Sequence, residues 1–329
     1  MGIRVSGVGG YVPAKTVTNF ELAMAVDTSN EWITSRTGIL ERRIAGPEEA
    51  PSDMGCEAAL RCLKQAGVDK SAVDLVIVAC ATPDQSQPAV ACMVQEKLGI
   101  SGGQCPAFDV NSVCAGFVFA LNVAQGMMMT DRARYQNVLV IGTDAFSKIL
   151  NWKDRRTCVF FGDGAGAVLL TQAEEKERRF HFHLGSDGRG REYIAVPGGG
   201  TRLPATADVI EKRLNKFVMN GPKVWEFAVN TVPETIRSLL REHGLVPSDL
   251  DLLILHQSNL RMLEAIMANL ELPMEKTVTT VESYGNTAAA SIPLTLQKAW
   301  ETGRLKPGAR VMLCGFGGGL SWGAALFTW

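Results

Sequence analysis

No two of the eight cysteines (Cys56, Cys62, Cys80, Cys92, Cys105, Cys114, Cys158 and Cys314) stand in a CxxC pair or in a spacing that suits zinc. Neither a redox pair nor a structural metal site is therefore written into the chain. An excess of charge is also lacking: 33 Lys and Arg meet 34 Asp and Glu, for a formal net charge of −1. No global field points to nucleic acid, and any anion site has to be local. Met1-Gly2-Ile3-Arg4-Val5 lacks the charged-then-apolar order of a signal peptide, and no apolar run is expected to reach membrane-spanning length. Met1 to Ser6 does begin like a myristoylation signal, but it runs straight into a predicted strand. These absences predict a reduced, metal-free, cytoplasmic protein with no membrane and no nucleic-acid partner.

What is present is material for a large core. The chain has 329 residues, 46 % of them hydrophobic, and 33 glycines, which fits a compact α/β enzyme. The stretch Phe108-Asp109-Val110-Asn111-Ser112-Val113-Cys114-Ala115-Gly116-Phe117 organises the rest. Pro106 to Val110 reads as a buried strand. Leu121, Val123, Ala124 and Met127 to Met129 continue at a spacing that suits a buried helix. Cys114 falls at the junction, where unpaired N–H groups and the helix dipole favour a thiolate. Ala115 and Gly116 leave room for a substrate to reach the sulfur. A lone cysteine in such a place is more often an inert small hydrophobe, so its reading depends on what the chain brings to it. Cys62 and Cys80 lie within apolar segments and read as core.

Taken in order, Val5 to Tyr11 carries a hairpin signal, Asn19 to Leu22 a short capped helix, and Asp27 to Ile33 an N-cap cluster with a helical turn. Arg36, Arg42 and Arg43 add local positive charge around Gly38. Met54 to Ala66 predicts an amphipathic helix that ends at Gly67, followed by a strand over Val73 to Ala79. That unit recurs without a gap: Gly67, Ser71 and Asp74 align with Gly244, Ser248 and Asp251, each set followed by a strand. A second match sets Phe161-Gly162-Asp163-Gly164-Ala165-Gly166 against Phe316-Gly317-Gly318-Gly319. The chain thus divides into two related α/β halves, 1–172 and 173–329, that pack together. Phe180 to Asp208 is glycine-rich and reads as a long excursion or lid, with His181 and His183 as strand neighbours rather than metal ligands.

The second copy of the repeated strand ends in Leu255-His256-Gln257-Ser258-Asn259, and ligands of open α/β sheets gather beyond such carboxyl ends. Ser283-Tyr284-Gly285-Asn286 then precedes a helix of very small residues. Each taken singly has a bland explanation, a hydrogen-bonded histidine and an ordinary Gly-Asn turn. Cys114, His256 and Asn286 together, each at a junction on one side of a duplicated sheet, point to nucleophilic catalysis. A papain-like protease has the same order of residues, but the flanks of Cys114 lack that family's motif and a protease gives no reason for the duplication. Gly162 to Gly166 lacks the strand, helix and downstream acid of a dinucleotide loop.

Six stretches together resemble one family along nearly the whole chain. They are Asp27 to Ile33 with Arg36-Thr37-Gly38-Ile39, Phe108-Asp109 with Cys114-Ala115-Gly116-Phe117, Phe161 to Ala167, His256 to Arg261, Tyr284 to Ser291, and Phe316 to Gly323. The family is that of the thiolase-fold condensing enzymes, specifically β-ketoacyl-acyl-carrier-protein synthase III. The resemblance implies an α/β, thiolase-like fold of two duplicated βαβαβ-type halves in α/β/α/β/α layers. It implies an acyltransferase that loads an acyl group from an acyl-CoA, acetyl by default, onto Cys114. That group is then condensed with malonyl-acyl carrier protein with loss of carbon dioxide, which initiates fatty acid biosynthesis. Both thioesters are substrates, and no cofactor is implied.

By the same resemblance the N–H groups of Cys114 and Gly318 form an oxyanion hole, while His256 and Asn286 donate to the enolate oxygen. Trp32, Arg36 and Arg155 hold the adenine end of coenzyme A, Asn259 contacts the pantetheine arm, and Phe316 closes the site against water. Arg261 attracts the acidic carrier protein, and the enzyme is a homodimer. The chain departs from the family at Gln87, where a bulky aromatic reaches across the dimer to the acyl pocket. It departs again at Trp225, where the pantetheine tunnel has a phenylalanine, and in a longer excursion over Gly198 to Asp208. These departures bear on the primer. The competing readings are a sister enzyme of polyketide or quinolone-type metabolism and a non-catalytic partner subunit; the second conflicts with the presence of Cys114, His256 and Asn286.

Overall fold

The computed structural model describes residues 2–100, 103–174 and 179–329. Two large sheets carry the fold. The first contains β1 (Gly2–Tyr11), β2 (Leu75–Ala79), β3 (Ala107–Val110), β4 (Asn137–Asp144) and β5 (Gly164–Ala173), in the order β1-β5-β4-β2-β3. The second contains β6 (His181–Ser186), β7 (Leu252–Leu255), β8 (Arg310–Gly317) and β9 (Ser321–Thr328), in the order β7-β8-β9-β6. In the first, β2 is parallel to β3 and β4, while β5 is antiparallel to both β4 and β1. In the second, β7 is parallel to β8, and β9 is antiparallel to both β8 and β6. Order and direction are therefore the same in β1-β5-β4-β2 and β6-β9-β8-β7, with β3 added at the edge of the first.

The central strands are apolar without a break because both of their faces are covered. Leu75, Ile77 and Ala79 of β2 point one way into a core shared with Leu252 and Ile254 of β7. Val76 and Val78 point the other way, into a second core. Helix α1 (Pro51–Ala66) starts with a proline in its first turn, ends at Gly67 in the left-handed region, and lies in that outer core beside the helix Val90–Leu98. Helix α2 (Gly116–Thr130) is buried between the two sheets. Helices α3 (Gly221–Glu242) and α4 (Leu260–Asn269) cover the outer face of the second sheet. Helix α5 (Ser291–Glu301) joins α2 in the middle. The layers run α/β/α/β/α, the thiolase-like fold expected.

Several expectations need correction. Val5 to Tyr11 forms no hairpin, because it is the middle of β1, which pairs along its length with β5 from Gly2 opposite Ala173 to Tyr11 opposite Ala165. Phe180 to Asp208 is not one lid: its start is β6, hydrogen-bonded to β9, and only the chain beyond Ser186 leaves the sheet. The second repeat match holds at its tail, where Gly164 and Ser321 open the equivalent strands β5 and β9, but not at its head. Phe316 lies inside β8, whereas Phe161 lies outside the named strands and bridges to Asn286. Val113 to Thr130 is long and apolar enough to cross a membrane, contrary to the expectation from composition. Its place between two sheets accounts for that character.

Candidate active site

Cys114, His256 and Asn286 line one cavity of about 500 Å³. Cys114 sits in a single 3-10 turn, Val113–Ala115, between β3 and α2. The turn is bent by Val113, whose φ of 46° is one that a β-branched residue rarely takes. Gly317, at the end of β8, is pressed against it: a Cβ there would stand 2.9 Å from the Cβ of Cys114. Only glycine lets the β8 backbone reach Cys114, and Gly318 follows it directly.

The expected thiolate is corrected by this geometry. The α-helix proper begins at Gly116, beyond the sulfur, and Cys114 is buried. Burial, helped by the negative charge of Asp144, pushes the thiol well above its ordinary value, against a smaller opposing pull from its own N–H. Cys114 rests as a thiol.

His256 follows β7 and is held by its backbone N–H, which donates to the Cys314 carbonyl at 2.8 Å. Its Nδ1 lies 2.7 Å from the Ser291 hydroxyl at the start of α5. Phe316 stands edge-on to the ring, with centroids 5.2 Å apart. Burial lowers the imidazole pKa to about 3, so the ring is neutral. The Asn286 backbone is pinned on both sides, its N–H donating to the Phe160 carbonyl at 2.8 Å and its carbonyl accepting from Gly162 at 3.0 Å. The side-chain oxygen accepts from the Ala288 N–H at 2.9 Å, which leaves the amide –NH2 for the cavity.

The aromatic walls of the cavity were not foreseen. Phe146 and Phe161 stack with centroids 4.8 Å apart, and Phe217 meets both rings edge-on. All three line the cavity, in the same buried cluster as Cys114. Phe217 comes from the excursion beyond β6, and Ile194 of the same segment also lines the cavity.

Trp32 and Arg36, on the helix Asn30–Thr37, line the mouth, with Trp225 and Pro222 of α3. Arg36 and Arg155 stand 5.9 and 5.3 Å from the centre of the Trp32 ring. Arg155 also donates to the Asp27 carbonyl and carboxylate, and it is its neighbour Arg156 that lines the main cavity. Arg156 is 83 % exposed and grips Asp154 through two bonds of 2.9 and 3.0 Å. Asn259 lines the cavity and caps α4 by accepting from the Met262 N–H. Arg261 donates to Glu264 and to the Ser35 and Thr34 carbonyls, where it complements the C-terminal end of the helix Asn30–Thr37. Gln87 is exposed and is not among the residues that line this cavity.

Arg42 corrects the expectation of a basic patch around Gly38. It is fully buried and donates to the Val17 and Val159 carbonyls and to the Asn19 side chain, as an internal clamp. Among the described residues there is no group of three or more His, Cys, Asp or Glu that could hold a metal ion.

Two profiles of one family match the chain: 3-oxoacyl-[acyl-carrier-protein (ACP)] synthase III over residues 108–188 and its C-terminal part over residues 240–329. The chain is 43 % identical to a β-ketoacyl-[acyl-carrier-protein] synthase III of Caldanaerobacter subterraneus, over 99 % of this chain and 97 % of that protein. The crystal structure of 3-oxoacyl-[acyl-carrier-protein] synthase III from Aquifex aeolicus superposes with a TM-score of 0.90 at 38 % identity, covering 100 % of both chains. The priming β-ketosynthase of the R1128 polyketide pathway gives the same TM-score at 31 % identity, over 99 % of this chain and 96 % of that one.

Proposed function

The chain belongs to the β-ketoacyl-[acyl-carrier-protein] synthase III family, and we propose how its own residues carry that family's reaction. The enzyme is an acyltransferase of the condensing type, and its reaction initiates fatty acid biosynthesis. In the first half-reaction the Cys114 sulfur attacks the carbonyl of an acyl-CoA. The C–S bond to coenzyme A breaks, and the proton of the Cys114 thiol ends on the departing coenzyme A. No net charge is left on the enzyme, which suits a buried thiol far better than a resting thiolate would. The N–H groups of Cys114 and Gly318 receive the oxyanion, since the glycine at 317 lets that backbone come close.

In the second half-reaction malonyl-acyl carrier protein loses carbon dioxide. The electrons of the broken C–C bond pass to the thioester oxygen, between His256 and Asn286, and the resulting carbanion attacks the acyl group on Cys114. Cys114 leaves as thiolate and takes up a proton from solvent, which restores the resting thiol. One observation carries this reading: both partners of the enolate oxygen are neutral donors with their other polar atom already engaged. Asn286 gives its side-chain oxygen to Ala288, so its –NH2 faces the site. His256 Nδ1 is engaged with the Ser291 hydroxyl at 2.7 Å; with that hydroxyl assigned as the donor, the imidazole proton lies on Nε2. An imidazole whose pKa is held near 3 is a poor base and a good neutral donor.

Cys114 comes from the half 1–172, and His256 and Asn286 come from the half 173–329, so the site is formed where the halves meet. Acyl-CoA enters past Trp32 with Arg36, Arg155 and Arg156 at its phosphates, while Asn259 and Trp225 line the pantetheine arm and Phe316 closes it. Arg261 lies on the rim facing the carrier protein, already bonded to Glu264, and acts through its residual exposure. The primer is acetyl by default, in keeping with the three phenylalanines beside Cys114. The enzyme works in the cytoplasm as a homodimer, with Gln87 of one protomer at the acyl pocket of the other. A starter enzyme of specialised metabolism would use the same residues; among the solved structures its identity is 31 %, against 38 % for the Aquifex aeolicus synthase. Incubation with acetyl-CoA should add one acetyl mass to the intact protein and none to Cys114→Ala. Equal acylation of that variant would remove the nucleophile from this scheme.

A further inference from the structure

The turn that presents Cys114 is built twice. Asn111-Ser112-Val113-Cys114-Ala115-Gly116 is matched at one constant offset by Asn286-Thr287-Ala288-Ala289-Ala290-Ser291. The likeness reaches the backbone. Asn111 accepts from the Val113 N–H as Asn286 accepts from the Ala288 N–H. Val113 and Ala288 share a left-handed φ, 46° and 49°, and each opens a single 3-10 turn that leads to α2 and to α5. The strands against which they rest agree too. A Cβ on Gly315 of β8 would meet the Cys114 carbonyl at 3.1 Å, and one on Gly142 of β4 would meet the Ala289 carbonyl at 2.3 Å. Two residues on, Gly317 faces Cys114, and its counterpart on β4 is Asp144.

Ala289 therefore occupies the nucleophile's place in a second copy of the site, and its N–H corresponds to the oxyanion donor of Cys114. That N–H is not free. It donates to one oxygen of Asp144 at 3.0 Å, while the other oxygen accepts from the Ala81 N–H, the Thr82 N–H and the Thr82 hydroxyl at 2.7–2.9 Å. Asp144 is fully buried, which raises its carboxyl to about 6 and leaves it a carboxylate at neutral pH. A carboxylate in that place has the charge and the acceptor geometry that the first copy offers to a transient oxyanion.

We propose that Asp144 is a positioning residue for the condensing half-reaction: its carboxylate stands in permanently for an oxyanion at the second turn and so holds the Asn286 turn in register. The inference rests on the assignment of Asn286 as an enolate donor. Asp144 touches neither substrate, and it ties the Asn286 turn to β4 and to the segment after β2. Its loss should be felt where Asn286 acts and little where Cys114 is acylated.

The test compares Asp144→Asn, Thr82→Val and Asn286→Ala. Cys114 acylation is followed by intact mass with acetyl-CoA, and carbon dioxide release is measured from malonyl-acyl carrier protein. Asp144→Asn removes one acceptor oxygen, and a donor mispositioned by about 1 Å costs on the order of 10²-fold in rate. Carbon dioxide release should fall by roughly that factor in Asp144→Asn, while acylation should not slow, because losing the Asp144 charge also eases ionisation of the Cys114 thiol. Thr82→Val, which spares the oxygen facing Ala289, should keep most of both, whereas a merely structural role would depress both reactions together in both variants. If Asn286→Ala loses carbon dioxide release and Asp144→Asn does not, the proposal fails alone; if Asn286→Ala loses nothing, the donor assignment fails first. Should Asp144→Asn not fold, amide exchange in the wild type decides: the Ala289 N–H must be as protected as those of β4, and rapid exchange overturns the proposal.

Discussion

Replacing His256 with glutamine should make the enzyme less sensitive to acid. An unfolded chain carries an imidazole of ordinary pKa, 6.5, whereas burial holds the folded one at about 3. Between those values the unfolded state binds the extra proton, so stability falls as the pH drops below about 6.5 and levels off only near 3. At pH 5 the unfolded imidazole is almost wholly protonated and the folded one is not. The gap from pH 6.5 to pH 5, at 1.36 kcal/mol per pH unit, therefore costs about 2 kcal/mol. The exact depth of the folded pKa hardly matters, provided that it lies below about 4. Every other titrating group is common to both proteins, so the contribution of His256 appears as a difference. Urea unfolding at pH 7 and pH 5, at one protein concentration, should show the wild type losing about 2 kcal/mol more than His256→Gln. Equal losses would mean that the folded imidazole protonates at its ordinary pKa. It would then become a cation below about pH 6.5, and burial could no longer be what keeps it a neutral donor.

Arg156→Ala should raise KM for acyl-CoA several-fold, up to about tenfold or 1.4 kcal/mol, and leave kcat nearly unchanged, because the side chain meets only the remote end of the substrate; an unchanged KM would return that role to Arg36 and Arg155. Gln87→Phe should narrow primer choice. One buried methylene is worth ~0.8 kcal/mol, so condensation rates for C2 to C8 acyl-CoAs should separate several-fold per carbon between the two proteins; identical profiles would take Gln87 out of the acyl pocket.

Much of the architecture was legible because it is local. Leu75 to Ala79 and Leu252 to Leu255 are apolar on both faces, and that alone marks strands covered on both sides. The junction at Cys114 and the position of His256 after a strand follow from the same runs. What escaped was set by partners far along the chain. Arg42 looks like a surface cation until it is seen to donate to Val159, 117 residues away. The thiolate expected at Cys114 came from the nearby helix, but burial and Asp144 decide the outcome. Phe217 gives no sign in its own segment that it will meet Phe146 and Phe161 edge-on, and Ser291 none that it will orient His256.

The central layer has a consequence for how the protein is made. Helix α2 shares one core with Leu252, Ile254, Val311 and Leu313, residues that leave the ribosome long after it. At about 5–20 residues per second, the interval between synthesis of α2 and completion of β9 is roughly 10–40 s. For that time a nascent segment as apolar as a membrane helix has only half of its covering, and it is open to chaperones or to other nascent chains. A chain shortened before β8 would keep Cys114 and leave that face bare. Its expected fate is aggregation rather than a slow enzyme.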